Sequence, residues 1–171
     1  MQFSAELFPL RTPIIKRAER SSLETYRDVY EGNCHRVYAL AFYMTDSEMA
    51  AEDVLANTFC RAFSQRRKPD SETIDKALVD EVRELMPVGN LTLVGATVVK
   101  KAQVRQSTHR ADLERAVVEL PPTERMIFLM ADVENYDHPR IARTLGITEA
   151  ESRSGLFQAR LKIRELLAKT V

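Results

Sequence analysis

The stretch Ile141-Ala142-Arg143-Thr144-Leu145-Gly146-Ile147-Thr148 carries the pattern of two helices meeting at a tight turn. A helical period covers roughly His138 to Leu145. Gly146 tolerates the left-handed backbone that a sharp turn demands, and Thr148 stands where an N-cap opens the next helix. Ala142, four residues before the glycine, is small enough to let the two helices approach closely. The spacing therefore predicts a helix-turn-helix.

Downstream, a long final helix is expected from Thr148 to about Lys169. Projected at about 100° per residue, Leu156, Ala159, Ile163, Leu166 and Leu167 fall on one face, and Arg153, Phe157, Arg160 and Arg164 on a neighbouring stripe. The first face is built to pack. The second is free to bind, although Phe157 is expected to turn away and pack against a neighbouring helix. Guanidinium groups donate charge-assisted hydrogen bonds to phosphate and pair bidentately with guanine, so this stripe suits a duplex groove.

Upstream, a helix starting near Arg110 places Leu113, Val117 and Leu120 together, and Pro121-Pro122 ends it and starts the next. That next helix carries Ile127, Met130 and Ala131 and breaks near Asn135. In the N-terminal half, residues 1–20 show no sustained period and read as a loose arm. A first helix is expected at Ser21, where Ser21 and Glu24 have capping-box spacing, and Tyr26, Tyr30, Cys34, Val37, Ala41 and Met44 share its face. Thr45 and Glu48 repeat the cap for a second helix with Ala51, Leu55, Phe59, Ala62 and Phe63, stopped at Arg66-Arg67-Lys68-Pro69. A third, about Ser71 to Met86, aligns Ile74, Leu78, Val82 and Leu85. Leu91 to Val99 is rich in β-branched residues and reads as a linker or a short strand. Tyr26, Tyr30, Tyr38, Phe42 and Tyr43 are expected at the core or its edge.

The 171 residues contain 25 basic and 25 acidic side chains. The two signs also balance separately within 1–70, 71–108 and 109–171, so contact with nucleic acid must come from a local stripe rather than a long-range positive field. No window approaches the roughly 18 to 20 apolar residues of a membrane span, and the N-terminus lacks a secretory pattern. The two cysteines, Cys34 and Cys60, support neither a disulfide scaffold nor a zinc cluster, and a reducing cytoplasm is the expected compartment. His35, His109 and His138 lie on separate elements without metal-ligand spacing, and no phosphate-binding glycine loop or nucleophile elbow occurs. An enzyme is not expected, nor a cofactor or a metal.

Leu120-Pro121-Pro122-Thr123-Glu124-Arg125-Met126-Ile127-Phe128-Leu129, then Ile141 to Thr148, then Gln158-Ala159-Arg160-Leu161-Lys162-Ile163-Arg164-Glu165-Leu166-Leu167 resemble the C-terminal helix-turn-helix of bacterial extracytoplasmic-function (ECF) RNA polymerase sigma factors. The family pattern there runs L-P-x-x-x-R-x-x-F-L, I-A-x-x-L-G-I-S, and a last helix ending R-A-R-x-x-L-R-x-L. Ala51-Glu52-Asp53-Val54-Leu55 and Thr58-Phe59-Cys60-Arg61-Ala62-Phe63 are similar to the family's N-terminal signature A-E-D-L-V-Q-E-x-F-L-R-A-W. The chain departs from the family in several places. It has no tryptophan, Ala56-Asn57 replaces Gln-Glu, and Glu151, Gly155 and Gln158 stand where the family often has Thr, Arg and Arg.

The resemblance implies an all-α fold of two small domains: an arm over 1–20, a region 2-like domain over 21–86, a linker over 87–108, and a region 4-like DNA-binding domain over 109–171. It implies promoter DNA at Arg143, Thr148, Arg153, Ser154, Gln158 and Arg160, and core RNA polymerase at Asp53 and Asn57. An anti-sigma factor is a further partner, and no membrane insertion is expected. The alternative is a degenerate sigma-like interaction module that binds an anti-sigma factor or polymerase without melting DNA.

Overall fold

A computed structural model describes residues 12–64, 68–93 and 109–169. Among them the protein is all-helical: α1 (Thr12–Thr45), α2 (Glu48–Phe63), α3 (Ser71–Leu85), α4 (Arg110–Val118), α5 (Pro122–Phe128), α6 (His138–Leu145) and α7 (Glu149–Lys169). The last turn of α5 continues as a π-helical turn, Leu129–Val133. No strand occurs among the described residues, and the part of the strand expectation beyond Leu93 falls outside them.

Helices α1 to α3 form the N-terminal domain around Val37, Leu40, Met44, Val54, Phe59, Ile74, Leu78 and Val82, all buried. Their three- and four-residue spacing places one apolar stripe per helix toward a shared core. The aromatic residues sit at its edge as expected, with Tyr26 against Phe63 at 5.0 Å and Tyr30 edge-on to Phe59 at 4.8 Å.

Three local expectations are corrected. Helix α1 already runs from Thr12, so Ser21 lies within it rather than at its start and residues 12–20 are helical, while the part of the arm expected over 1–11 lies outside the described residues. The N-cap of α2 is Ser47, whose hydroxyl accepts from the Ala50 amide, while the Thr45 hydroxyl donates back to the Ala41 carbonyl. Leu85, the last residue of α3, leaves its apolar face and is exposed.

The C-terminal domain wraps α4, α5 and α6 around α7. Pro122 starts α5, where a missing amide hydrogen costs nothing. Asn135, at φ 56°, ends the π turn in the left-handed region that asparagine tolerates.

Several polar contacts join the domains, among them two clusters around Asp75 and Arg125. Asp75 on α3 is fully buried and accepts from Arg36 of α1, from Arg140 Nη2 of α6 at 2.6 Å, and from the Tyr136 hydroxyl at 3.3 Å. Arg36 also reaches the Tyr136 oxygen at 2.6 Å, and the Arg140 guanidinium lies 3.7 Å from the centre of the Tyr136 ring. Burial, with the Asp75 charge beside it, pushes the Tyr136 phenol up to about 12. In the second cluster Arg125, from the L-P-x-x-x-R stretch, donates to the carbonyls of Tyr43 and Met44 at the end of α1 and of Val118 and Leu120 after α4. Those are helix-end acceptors without intrahelical donors.

Residues after α3 are docked on the C-terminal domain. The Gly89 amide donates to the Thr123 hydroxyl, and the Thr92 and Leu93 amides both donate to Glu124 Oε1 at 2.6 Å. Leu91 fills the space beside Gly155 on α7. A Cβ there would stand 2.8 Å from Leu91 Cδ2 and 2.6 Å from Ile127 Cδ1, the ends of two flexible side chains that would have to shift to admit it.

Candidate nucleic-acid interface

The helix-turn-helix is built from α6, the turn and the first half of α7. Asp137 caps α6 by accepting from the Arg140 amide at 2.9 Å. Gly146 closes α6 at φ 65° and ψ 34°, a left-handed conformation, and the Ile147 amide bonds back to Ala142. A side chain at Gly146 would meet nothing, so its role is conformational rather than steric. Ala142, Thr144 and Leu145 are buried, and the buried Ser152 hydroxyl lies 2.9 Å from His138 Nδ1, tying the start of α6 to α7.

Thr148 opens α7 through a full capping box. Its hydroxyl accepts from the Glu151 amide at 3.1 Å, and Glu151 accepts from the Thr148 amide at 2.7 Å and from its hydroxyl at 2.8 Å. The T-x-x-E spacing was readable in the chain. These bonds, the Thr148 amide first, hold the Glu151 carboxyl below the usual carboxylate range. A depressed folded value contributes stability above the unfolded value and loses it as pH falls through the folded one. Acidification below about pH 4 is therefore expected to fray the first turn of α7, read as faster amide exchange at 150–152. Glu151→Gln, which has no charge to lose, should remove that pH dependence, and an unchanged profile would count against the box.

The faces of α7 divide as the projection predicts. Leu156, Ala159 and Ile163 are buried, Leu166 and Leu167 are partly so, and Arg153, Ser154, Arg160 and Arg164 are exposed. Gln158 is half-buried at the edge of the stripe. Phe157 corrects an expectation: it is 59% exposed, in line with Arg153, Ser154 and Arg160. Leu156 and Ala159 carry the buried face of the helix, and Phe157 lies outside it.

Each arginine expected on DNA has an acidic neighbour. Arg153 pairs with Glu149 one turn earlier at 2.8 Å. Arg160 grips Asp132 of the π turn with Nε at 3.0 Å and Nη2 at 2.5 Å, a bond that raises its already high pKa. Arg143 pairs across the domain boundary with Glu72 of α3 at 2.9 Å. These three arginines are thus exposed but locally neutralised, and a phosphate would have to displace a carboxylate at each of them. Asp53 and Asn57 lie elsewhere, exposed one turn apart on the outer face of α2.

No group of side chains suited to a metal ion occurs among the described residues, and no described helix is long and apolar enough to cross a membrane.

The family described as Sigma-70, region 4 matches residues 110–163, which takes in α4, α5, α6 and most of α7. The chain is 26% identical over 167 residues to the ECF RNA polymerase sigma factor SigE of Mycolicibacterium smegmatis, spanning 88% of this chain and 65% of that one. It is 23% identical over 161 residues to the ECF RNA polymerase sigma factor SigM of Bacillus subtilis, covering 86% of this chain and 98% of that one. Its fold is similar, with a TM-score of 0.63 at 14% identity, to the sigma factor RpoE of Bartonella quintana, solved in complex with the anti-sigma factor NepR. That likeness covers 85% of this chain and 98% of the other.

Proposed function

We propose, on the premise that this chain is a divergent member of the ECF RNA polymerase sigma factor family, that it directs transcription initiation as a non-enzymatic DNA-reading subunit. In this reading the C-terminal domain lays the first half of α7 in a major groove, with Arg153 and Ser154 toward base edges and Arg160 and Gln158 flanking them. Arg143 and Thr148 hold backbone phosphate. Phe157 adds an apolar surface suited to a thymine methyl group. The N-terminal domain presents Asp53 and Asn57 to the polymerase core.

The single observation that carries this reading is the continuous exposed stripe of Arg153, Ser154, Phe157 and Arg160 on a helix that opens directly from a capped helix-turn-helix. Selection from random duplexes followed by titration tests it. Arg153→Ala is expected to weaken the selected site about ten- to a hundredfold and to relax one position, the scale of a lost bidentate base contact. Arg143→Ala should weaken all sequences evenly and lower the salt slope by about one. No enriched sequence, with affinity indifferent to salt, would remove the DNA reading.

A second reading has one observation in its favour: the arginines of the interface are all paired with carboxylates. In it the chain is a sigma-like interaction module that binds an anti-sigma factor or polymerase and does not melt DNA. In vitro transcription separates the two, because the module would bind core polymerase and fail to initiate.

A further inference from the structure

Ser154, Phe157 and Gln158 follow one another on α7 at steps of three and four, so three uncharged residues share one face of that helix. Ser154 and Phe157 are exposed, and Gln158 is half-buried beside them. Their state differs from that of the arginines around them. Arg153 is held by Glu149 and Arg160 by Asp132, whereas the Gln158 amide and the Ser154 hydroxyl have no hydrogen-bond partner among the described residues. A carboxylate has to leave before either guanidinium can bind anew. The amide needs no such exchange. One turn away along the helix Gln158 meets Ser154, Gly155, Leu161 and Lys162, and the single charge among these, the Lys162 ammonium, is taken up by Glu165 at 3.3 Å. Because Gln158 is half-buried, it also gives up less rotamer freedom on binding than a fully exposed side chain.

We propose that Gln158 determines specificity for one adenine of the bound duplex, its amide nitrogen donating to N7 and its amide oxygen accepting from the N6 amino group. This rests on the DNA reading above. A primary amide carries a donor and an acceptor side by side. In the major groove adenine presents the complementary pair, an acceptor at N7 and a donor at N6. Guanine presents two acceptors, N7 and O6. An amide that donates to guanine N7 turns its own oxygen toward O6, where two sets of lone pairs face each other and no proton lies between them. The residue therefore selects adenine both by the bonds it makes there and by the acceptor it leaves unmatched on guanine.

The test selects duplexes from a random pool with the full chain and with Gln158→Ala, Gln158→Arg and Gln158→Glu, each checked for folding by circular dichroism, and then titrates the selected site. Gln158→Ala should relax one adenine position. Gln158→Arg should turn that position to guanine and Gln158→Glu to cytosine, following the donor and acceptor code of the groove, while the other positions stay as they were. Replacing that adenine by 7-deazaadenine removes the N7 acceptor and nothing else. It should weaken binding of the wild-type chain about five- to tenfold and leave Gln158→Ala unaffected. An enriched site with no adenine whose identity follows residue 158, or an equal loss by wild type and Gln158→Ala on the deaza duplex, would overturn the assignment and leave the DNA reading intact. No enriched site for any of the four chains would overturn the assignment together with the DNA reading beneath it.

Discussion

Asp75→Asn is expected to lower the thermal midpoint by about 10 °C. Asparagine keeps the size of the side chain but carries no charge, and one end of its amide is a donor facing guanidinium groups. Arg36 and Arg140, whose side chains are 17% and 28% exposed, would lose their shared anion inside the protein. Removing one partner of a buried pair costs about 3 to 5 kcal/mol. At roughly 2 to 4 °C per kcal/mol for a chain of this size, the lower end of that range corresponds to about 10 °C. Calorimetry on the full chain reads the change. A midpoint within about 2 °C of wild type would mean that water or a rearranged Tyr136 replaces the carboxylate, and that the domains are held by apolar packing instead.

Arg125→Met should lower unfolding free energy by about 3 kcal/mol, with Arg125→Lys falling between it and wild type. The guanidinium spans carbonyls from three segments, the ends of α1 and α4 and the loop before α5, at distances between 2.8 and 3.4 Å for Leu120, Met44 and Tyr43. Each buried acceptor left without a donor costs about 1 to 3 kcal/mol. Part of that is recovered here because the side chain is only half-buried and water can reach some of the freed oxygens. Burial holds the Arg125 pKa below its ordinary value, against the opposing pull of the Asp46 charge. Lysine has a single charged point and cannot form the fork. Urea titration of the three proteins should return the order arginine, lysine, methionine. Equality of lysine with wild type would mean that charge alone suffices.

The helix-turn-helix was legible in the chain because every determinant of it is local. Gly146 needs a left-handed backbone, Thr148 needs a free hydroxyl at a helix start, and the leucine and arginine stripes of α7 follow from 3.6 residues per turn. The same locality explains the errors. Thr45 and Ser47 are both competent caps two residues apart, and only the path of the chain, with Asp46 in a positive-φ conformation, selects Ser47. Phe157 lies on the border between the packed and open faces, and its exposure depends on what the neighbouring helices leave unfilled.

The candidate site was legible as positions and not as electrostatics. The partners of Arg160 and Arg143 are Asp132 and Glu72, 28 and 71 residues away in the chain. No periodicity links them. Gly155 is a similar case: as a departure from the family pattern it had only a helix-propensity cost, and only the fold shows the side-chain ends of Leu91 and Ile127 lying where its Cβ would be.

By itself, then, the amino-acid order determined an all-helical chain, the helix-turn-helix and the side of α7 turned to solvent, since these depend on backbone preferences and on the spacing of apolar residues along one helix. Only the tertiary structure decided that Asp75 sits at the centre of the domain contact, that α3 occupies the basic face of α6, and that residues 89–93 belong to the surface of the C-terminal domain. Those arrangements arise from charges and hydrogen-bond donors brought together from distant segments, and such pairings acquire their energy only after the chain has folded and excluded water from between them.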